Sequence, residues 1–265
     1  MVYSSVMTLS NIQKDEIRNL LRTTLKNKLA KYKRESSYMP FLSKLIQDDE
    51  KVAAYSFIHS ISTSLGMSIY EEVSKIIAKS SAQTVERGVN VGGTLSSQQK
   101  ETIAKIVNEL REGKRIVNRK KEVTEVLSAS SFNGKAQKDN DIADFYMKKD
   151  NQEFFFEIKT VKPNIDVFTK SKIKLLEWVA RKQKPVNAIL AFPYNPYYPD
   201  PYSRFTEQGV VEHGTEFLIA EEYWNFIGGK DTFKELLSLF DDVGKELKDE
   251  IQKKIKEVAK EKLHN

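Results

Sequence analysis

Asn140-Asp-Ile-Ala-Asp-Phe-Tyr-Met147, Lys148-Lys-Asp-Asn-Gln152 and Glu153-Phe-Phe-Phe-Glu-Ile-Lys159 run consecutively, and their reading decides the fold. Phe145 to Met147 and Phe154 to Ile158 are rich in the aromatic and branched residues that strands prefer. The polar residues between them supply turn chemistry, so the stretch reads as a hairpin. With Asp150-Asn151 as a two-residue turn, Lys149 faces Gln152 and each earlier residue pairs with a correspondingly later one. Asp144 then lies opposite Glu157. Residues opposite each other in an antiparallel pair project from one face, so the two carboxylates converge. Lys159, two residues past Glu157, returns to that face by strand alternation.

Two adjacent carboxylates suit Mg²⁺, which takes oxygen ligands and keeps several waters. A lysine beside that metal holds one of those waters or helps deprotonate it, and the metal lowers the water's pKa and neutralises charge on a phosphate. Asp141 is the alternative first ligand; Asp144 is preferred because it is in register with Glu157. Asp144 followed by Glu157-Ile158-Lys159, with 13 residues between the acids, resembles the signature of the PD-(D/E)xK nuclease superfamily, Ala143 replacing the usual proline. Glu-x-Lys also arises by chance in so charged a chain, where it reads as a solvated surface hairpin. The crowding of Asp141 and Asp144 argues for a bound cation instead.

The bulk properties set wider bounds. The chain has 265 residues, enough for one large domain or a core domain with helical appendages. Its 43 Lys and Arg against 37 Asp and Glu give a net charge of +6, mildly basic, as in proteins that meet a polyanion. It has no cysteine, which excludes disulfides and thiolate zinc sites, and its three histidines disfavour a histidine metal cluster. No run approaches 18 apolar residues and the N-terminus lacks a leader pattern, so a soluble cytoplasmic protein is expected, with no membrane partner.

Taken in order, residues 1–6 read as a loose start. Ser10 caps a helix to about Lys33, with Ile17, Leu20, Leu21, Leu25 and Leu29 at helical spacing. Its other face, with Lys14, Arg18, Arg22, Lys26 and Lys28, reads as solvated in preference to contacting DNA. Phe41 to Leu65 reads as one or two largely buried helices, and Ser68 with Glu71 as a capping box for the next. Arg87 to Ser96 reads as a turning, glycine-rich segment, and Ser97 to Glu112 as a helix stopped by Gly113. Lys114-Arg-Ile-Val-Asn-Arg-Lys-Lys121 is the densest basic cluster: Lys114, Arg115, Arg119, Lys120 and Lys121 are either solvated or in contact with phosphates.

Beyond the hairpin, Lys162 adds a further cation and Pro163 ends the strand. Lys170 to Gln183 is an amphipathic helix with Ile173, Leu176, Trp178 and Val179 on its buried side and Lys170, Lys172, Lys174 and Arg181 opposite. Asn187 to Phe192 suits a buried central strand, parallel to the one before the helix by a crossover. Pro193 to Arg204, with its prolines and tyrosines, reads as a stiff loop. Either it packs on the core or Tyr194, Asn195 and Arg204 contact DNA, where an arginine can read guanine. His213 to Ala220 forms a further short strand, with His213 outside the site. Thr232 and Glu235 box the start of a final helix that Asp241-Asp242 and Gly244 can interrupt.

Tyr38-Met-Pro-Phe41, Phe57-Ile-His-Ser-Ile-Ser-Thr-Ser-Leu-Gly66 with Ser68-Ile-Tyr-Glu71, and the tract from Phe192 to Gly229 are similar to the TdeIII-type group of type II restriction endonucleases, over about residues 10 to 245. The resemblance implies an α/β (α+β) fold, a PD-(D/E)xK restriction-endonuclease-like mixed β-sheet flanked by helices, with a helical N-terminal region and a C-terminal helix. It would be one nuclease domain over 1–265: a mainly helical part (1–125), the catalytic sheet and recognition loops (126–230), and the C-terminal helix (231–265). It implies Mg²⁺-dependent cutting of double-stranded DNA at GGNCC by a homodimer, with Asp144, Glu157 and the Ile158 carbonyl on the metal and Lys159 at the attacking water. A helix before the hairpin often adds an acid in this superfamily, and Glu72 is the residue for that role. The alternatives are another PD-(D/E)xK enzyme, such as a junction resolvase or repair nuclease, and a non-catalytic DNA-binding module.

Overall fold

A computed structural model describes residues 9–32, 40–129, 141–159, 164–202 and 209–260. Lys162 and Arg204, together with residues 1–6 and Tyr38, lie outside the described residues. The chain divides into two compact units, one built on Ser74–Phe233 and the other on Leu9–Val73 with Lys234–Asn265.

The first unit holds a sheet of five strands among the described residues: β1 (Thr84–Asn90), β2 (Ile142–Lys149), β3 (Gln152–Ile158), β4 (Asn187–Phe192) and β5 (Phe217–Ile219), in that spatial order. β1, β2 and β3 are antiparallel neighbours, while β3, β4 and β5 run parallel. The hairpin turns where its sequence requires. Asp150 and Asn151 both take positive φ (50° and 60°), the two-residue turn whose twist matches the strands, and Lys149 faces Gln152.

One face of the sheet is covered by α7, which spans Ile165–Lys182; Phe168, Leu175, Trp178 and Val179 pack with Phe155, Ala188, Leu190 and Phe192. On the other face Phe156 meets Tyr223 and Phe226 of α8 (Glu221–Gly228), and the Tyr223 hydroxyl bonds Ser74 of α4 (Tyr70–Ala78) at 2.6 Å. A further layer lies outside α7. There α5 (Ser97–Arg111) and α6 (Arg119–Ser128) pack Ile103, Val107, Leu110 and Val126 against Leu176 and Ala180.

That third layer overturns the amphipathic reading of α7. Between a sheet and a second helix layer the helix has little solvent face, so Lys172 and Arg181 are buried and Lys174 is half-buried. Lys172 is fully buried, with its ammonium 2.6 Å from Glu216 and 2.5 Å from Glu122. Burial pushes the Glu216 carboxyl up, and the lysine opposes that shift.

The second unit includes α1 (Asn11–Lys31), α2 (Pro40–Ile46), α3 (Asp49–Ser64), α9 (Thr232–Glu246) and α10 (Lys248–Lys260). Ser10 and Gln13 form the capping box of α1. Its cationic face is more than solvated: Lys14, Arg18 and Arg22 pair with Glu235, Asp242 and Glu246 at 3.0, 3.2 and 2.7 Å. Four expectations are corrected. First, α2 is not largely buried; Phe41 and Leu45 are more than four-fifths exposed. Second, Ser68 caps nothing, because Leu65–Ile69 is a π-helical turn through which the helix continues into α4. Third, Arg87 to Asn90 belongs to β1. Fourth, Thr232 donates to the Gly229 carbonyl, while Glu235 receives the Leu9 N–H; the break in the last helix falls at Leu247.

Removing one partner of a buried ion pair strands the other charges. Lys172→Met should therefore lower unfolding free energy by about 3–5 kcal/mol, read by urea or thermal denaturation; an unchanged midpoint would show that the triad does not hold these layers.

Candidate active site

The carboxylates meet at the end of the hairpin away from its turn. The β2–β3 register, continued one step beyond Phe145 and Phe156, sets Asp144 opposite Glu157. There the side chain replaces the backbone ladder, and the Ile158 N–H donates to Asp144 Oδ2 at 2.7 Å. On its other side β2 runs beside β1, where Gly88 falls between the paired Arg87 and Val89 and so faces Asp144. Gly88 has φ +58° and a Cβ built there meets nothing within 4 Å, so β1 leaves open space beside the carboxylate.

Glu157 is buried, its side chain 5% exposed. Its Oε1 lies 2.8 Å from the Lys159 ammonium and 3.6 Å from Lys174, which reaches in from α7. Its Oε2 is buried with no hydrogen-bond partner. A buried carboxylate oxygen left unpaired bears its full desolvation cost, and a divalent cation is the partner that suits it. The donor set, two hard carboxylate oxygens on facing strands, fits Mg²⁺. Burial pushes the Asp144 carboxyl above its ordinary range, with the Ile158 N–H, Lys174 and Lys159 pulling the other way. Burial also works against the Lys159 charge, but Glu157 and Asp144 outweigh it and hold the ammonium above the usual lysine range.

Most of the other predicted residues are engaged in contacts of their own. Asp141 is engaged elsewhere: its side chain accepts from Asn90 at 3.2 Å and its carbonyl from the Val91 N–H. Glu72 sits in the first turn of α4, in the second unit. Among the described residues no group of three or more His, Cys, Asp or Glu is placed to hold a metal. In the basic cluster, Lys114 pairs with Glu112 at 2.6 Å, and Arg115 is gripped by Glu125 and Glu109. The Arg119 guanidinium donates to the Val186 carbonyl, and burial lowers its pKa. Lys120 and Lys121 are exposed and make no side-chain ion pair among the described residues.

Arg119 and Lys120 line a cleft of about 710 Å³ with Glu153, Lys184 and Glu212. This cleft lies at the turn end of the hairpin, roughly 16 Å of strand from Glu157. In the loop after β4, Asn195 is tied to Asp200 and Tyr197, and burial raises the Tyr194 phenol's pKa. Lys174 is the residue that periodicity missed. Its spacing of four from Trp178, over whose ring it lies at 5.2 Å, was the available signal.

A strand hairpin presenting Asp, then Glu-x-Lys, backed by a crossover helix and a parallel strand, is a candidate nuclease site. The comparisons supply the class. The family model described as type II restriction endonuclease, HinfI, matches residues 9–244. The type II restriction enzyme MjaII of Methanocaldococcus jannaschii is 28% identical over 221 residues, 76% of this chain and 58% of that enzyme. From Herpetosiphon aurantiacus, HgiCII is 31% identical over 208 residues (75% of each chain), and HgiEI is 27% identical over 275 residues, 94% of this chain and 99% of HgiEI. The chain thus spans less than two thirds of MjaII and nearly all of HgiEI. No solved structure matches significantly. The chain belongs to the HinfI family of type II restriction endonucleases, a class of site-specific deoxyribonucleases.

Asp144→Asn keeps an oxygen for the Ile158 N–H and removes a buried charge. Its melting temperature should match or exceed the wild type, with a gain of about 1 kcal/mol or less. Calorimetric Mn²⁺ binding should disappear; a variant that melts lower yet binds Mn²⁺ as well would contradict the assignment.

Proposed function

We propose that the protein is a Mg²⁺-dependent endonuclease that cuts double-stranded DNA, at GGNCC as the family resemblance implies, and acts in the cytoplasm as a homodimer. The observation that carries this reading is the unpartnered, buried Glu157 Oε2 beside Asp144 and Lys159. Asp144, Glu157 and the Ile158 carbonyl would hold the ion. Bound there, Mg²⁺ lowers the pKa of a water and neutralises charge on the scissile phosphate.

The chain's own residues do the positioning. Asp144 is fixed by the Ile158 N–H through Oδ2, which leaves Oδ1 for the ion. Lys159, on the same face, donates to the attacking water and aligns it with the phosphorus, so that the 3′ oxygen leaves in line and a 5′-phosphate results. Lys120 and Lys121 meet the phosphate backbone, and Lys162 is a further candidate for such contact, whereas Lys114, Arg115 and Arg119 are engaged within the fold. Tyr194, Asn195 and Arg204 belong to the loop that reads bases. A palindromic target matches a two-fold dimer with one active site per strand.

The direct test is incubation with unmethylated phage DNA in Mg²⁺ or EDTA. Discrete bands that need Mg²⁺ are expected for the wild type, and Lys159→Ala should lose at least about 100-fold in rate with duplex affinity within about twofold. Wild-type-like cutting by that variant would sink the assignment of Lys159, and a smear would sink site specificity.

The phosphate surface has its own readout. Removing Lys120 and Lys121 together should weaken binding to any duplex and flatten the log affinity against log salt slope by about 2. Arg115→Ala should instead lower the melting temperature. An unchanged slope in the double variant would remove the two lysines from the interface.

A further inference from the structure

Two lysines beside a single carboxylate oxygen are more than one Glu-x-Lys motif requires. Lys159 and Lys174 both approach Glu157 Oε1, and they differ in how they are held. Lys159 follows the end of β3 and its side chain is 39% exposed, so its ammonium can swing. Lys174 is 16% exposed and stands in the middle of α7. Its ammonium lies 5.2 Å from the ring centroid of Trp178, a fully buried side chain one turn along the same helix. A cation over an indole face is electrostatically held there. Lys174 is therefore the fixed partner of Glu157 and Lys159 the movable one.

This difference matters because Lys159, when drawn toward the attacking water, loosens its hold on Glu157. A buried carboxylate stripped of its counter-ion is costly. With Lys174 in place, Glu157 Oε1 keeps a cation when Lys159 moves, and the unpartnered Oε2 would remain free to hold the ion. We infer that Lys174 is a positioning residue for the reaction, a helix-borne counter-ion that holds Glu157 and releases Lys159 to the water; the inference rests on the nuclease reading above.

The same charge has a second, opposite effect. Two carboxylates and two ammoniums make a site without net charge, and an ammonium beside a divalent ion repels it. Losing Lys174 should therefore slow cutting and tighten metal binding, whereas a merely damaged site would lose both.

The experiment compares wild type, Lys174→Met and Lys174→Arg in three measurements. These are single-turnover cleavage of duplex DNA at saturating Mg²⁺, duplex affinity in Ca²⁺, and calorimetric Mn²⁺ binding to the metal-free enzyme, with melting temperatures as the folding control. Lys174→Met should cleave about 10- to 100-fold more slowly, bind duplex within about twofold, and bind Mn²⁺ about fivefold more tightly. Lys174→Arg should recover the rate to within about threefold, because a guanidinium also stacks on the indole. Cleavage by Lys174→Met at the wild-type rate would overturn the inference while leaving the nuclease reading intact. So would a slow Lys174→Met whose Mn²⁺ affinity or melting temperature also falls, or an arginine variant no better than methionine. Wild-type protein that neither cuts duplex DNA nor binds Mn²⁺ would overturn the nuclease reading and this inference with it.

Discussion

The register of one hairpin determines the chemistry of the first unit. Because side chains alternate between faces, a slip of one residue would carry Glu157 away from Asp144 and onto the aromatic face that packs on Tyr223. The two positive-φ residues of the turn set that register from one end, and the Ile158 N–H bonded to Asp144 locks it at the other. Everything else at the site, including the burial of Glu157 and the approach of Lys159 and Lys174, depends on this alignment.

The sheet's neighbours turn the alignment into a site. On one side β4 runs parallel to β3, and its Ala191 carbonyl accepts the Lys159 N–H, extending order one residue past the strand. On the other side β1 passes Asp144 with a glycine, keeping the approach open. From the face, α7 supplies Lys174 above and Phe168, Leu175 and Trp178 as apolar packing. Carboxylates desolvated in this way are poor neighbours for each other and good ones for a divalent ion. The helix that delivers Lys174 is itself held by the Glu122–Lys172–Glu216 triad, so a buried ion network braces the element that brings Lys174 to Glu157.

The hairpin and β4 were legible in the sequence because their signals are local: a polar turn between aromatic runs, and a short apolar run between breakers. The Asp144–Glu157 pairing follows from counting back from Asp150-Asn151. β1 was missed because Thr84–Asn90 carries Glu86, Arg87 and a left-handed Gly88, which mask the alternation of an edge strand. The lysines of α7 were assigned to solvent because periodicity assumes one wet face, and only the packing of α5 and α6 reveals that this helix is covered on two sides. For the same reason the basic cluster looked uniform in sequence, whereas folding pairs Lys114 and Arg115 with glutamates, buries much of Arg119, and leaves Lys120 and Lys121 exposed.

The proposed function has Asp144 and Glu157 holding one divalent ion between them. It can be tested without DNA by loading the metal-free enzyme with Fe²⁺, starting hydroxyl-radical chemistry with ascorbate and peroxide, and mapping the backbone breaks by mass spectrometry. Breaks confined to the neighbourhood of Asp144 and of Glu157–Lys159, and suppressed by excess Mg²⁺, are the predicted result. Breaks centred on Glu72 or Asp141 that spare Glu157, or breaks indifferent to Mg²⁺, would contradict it.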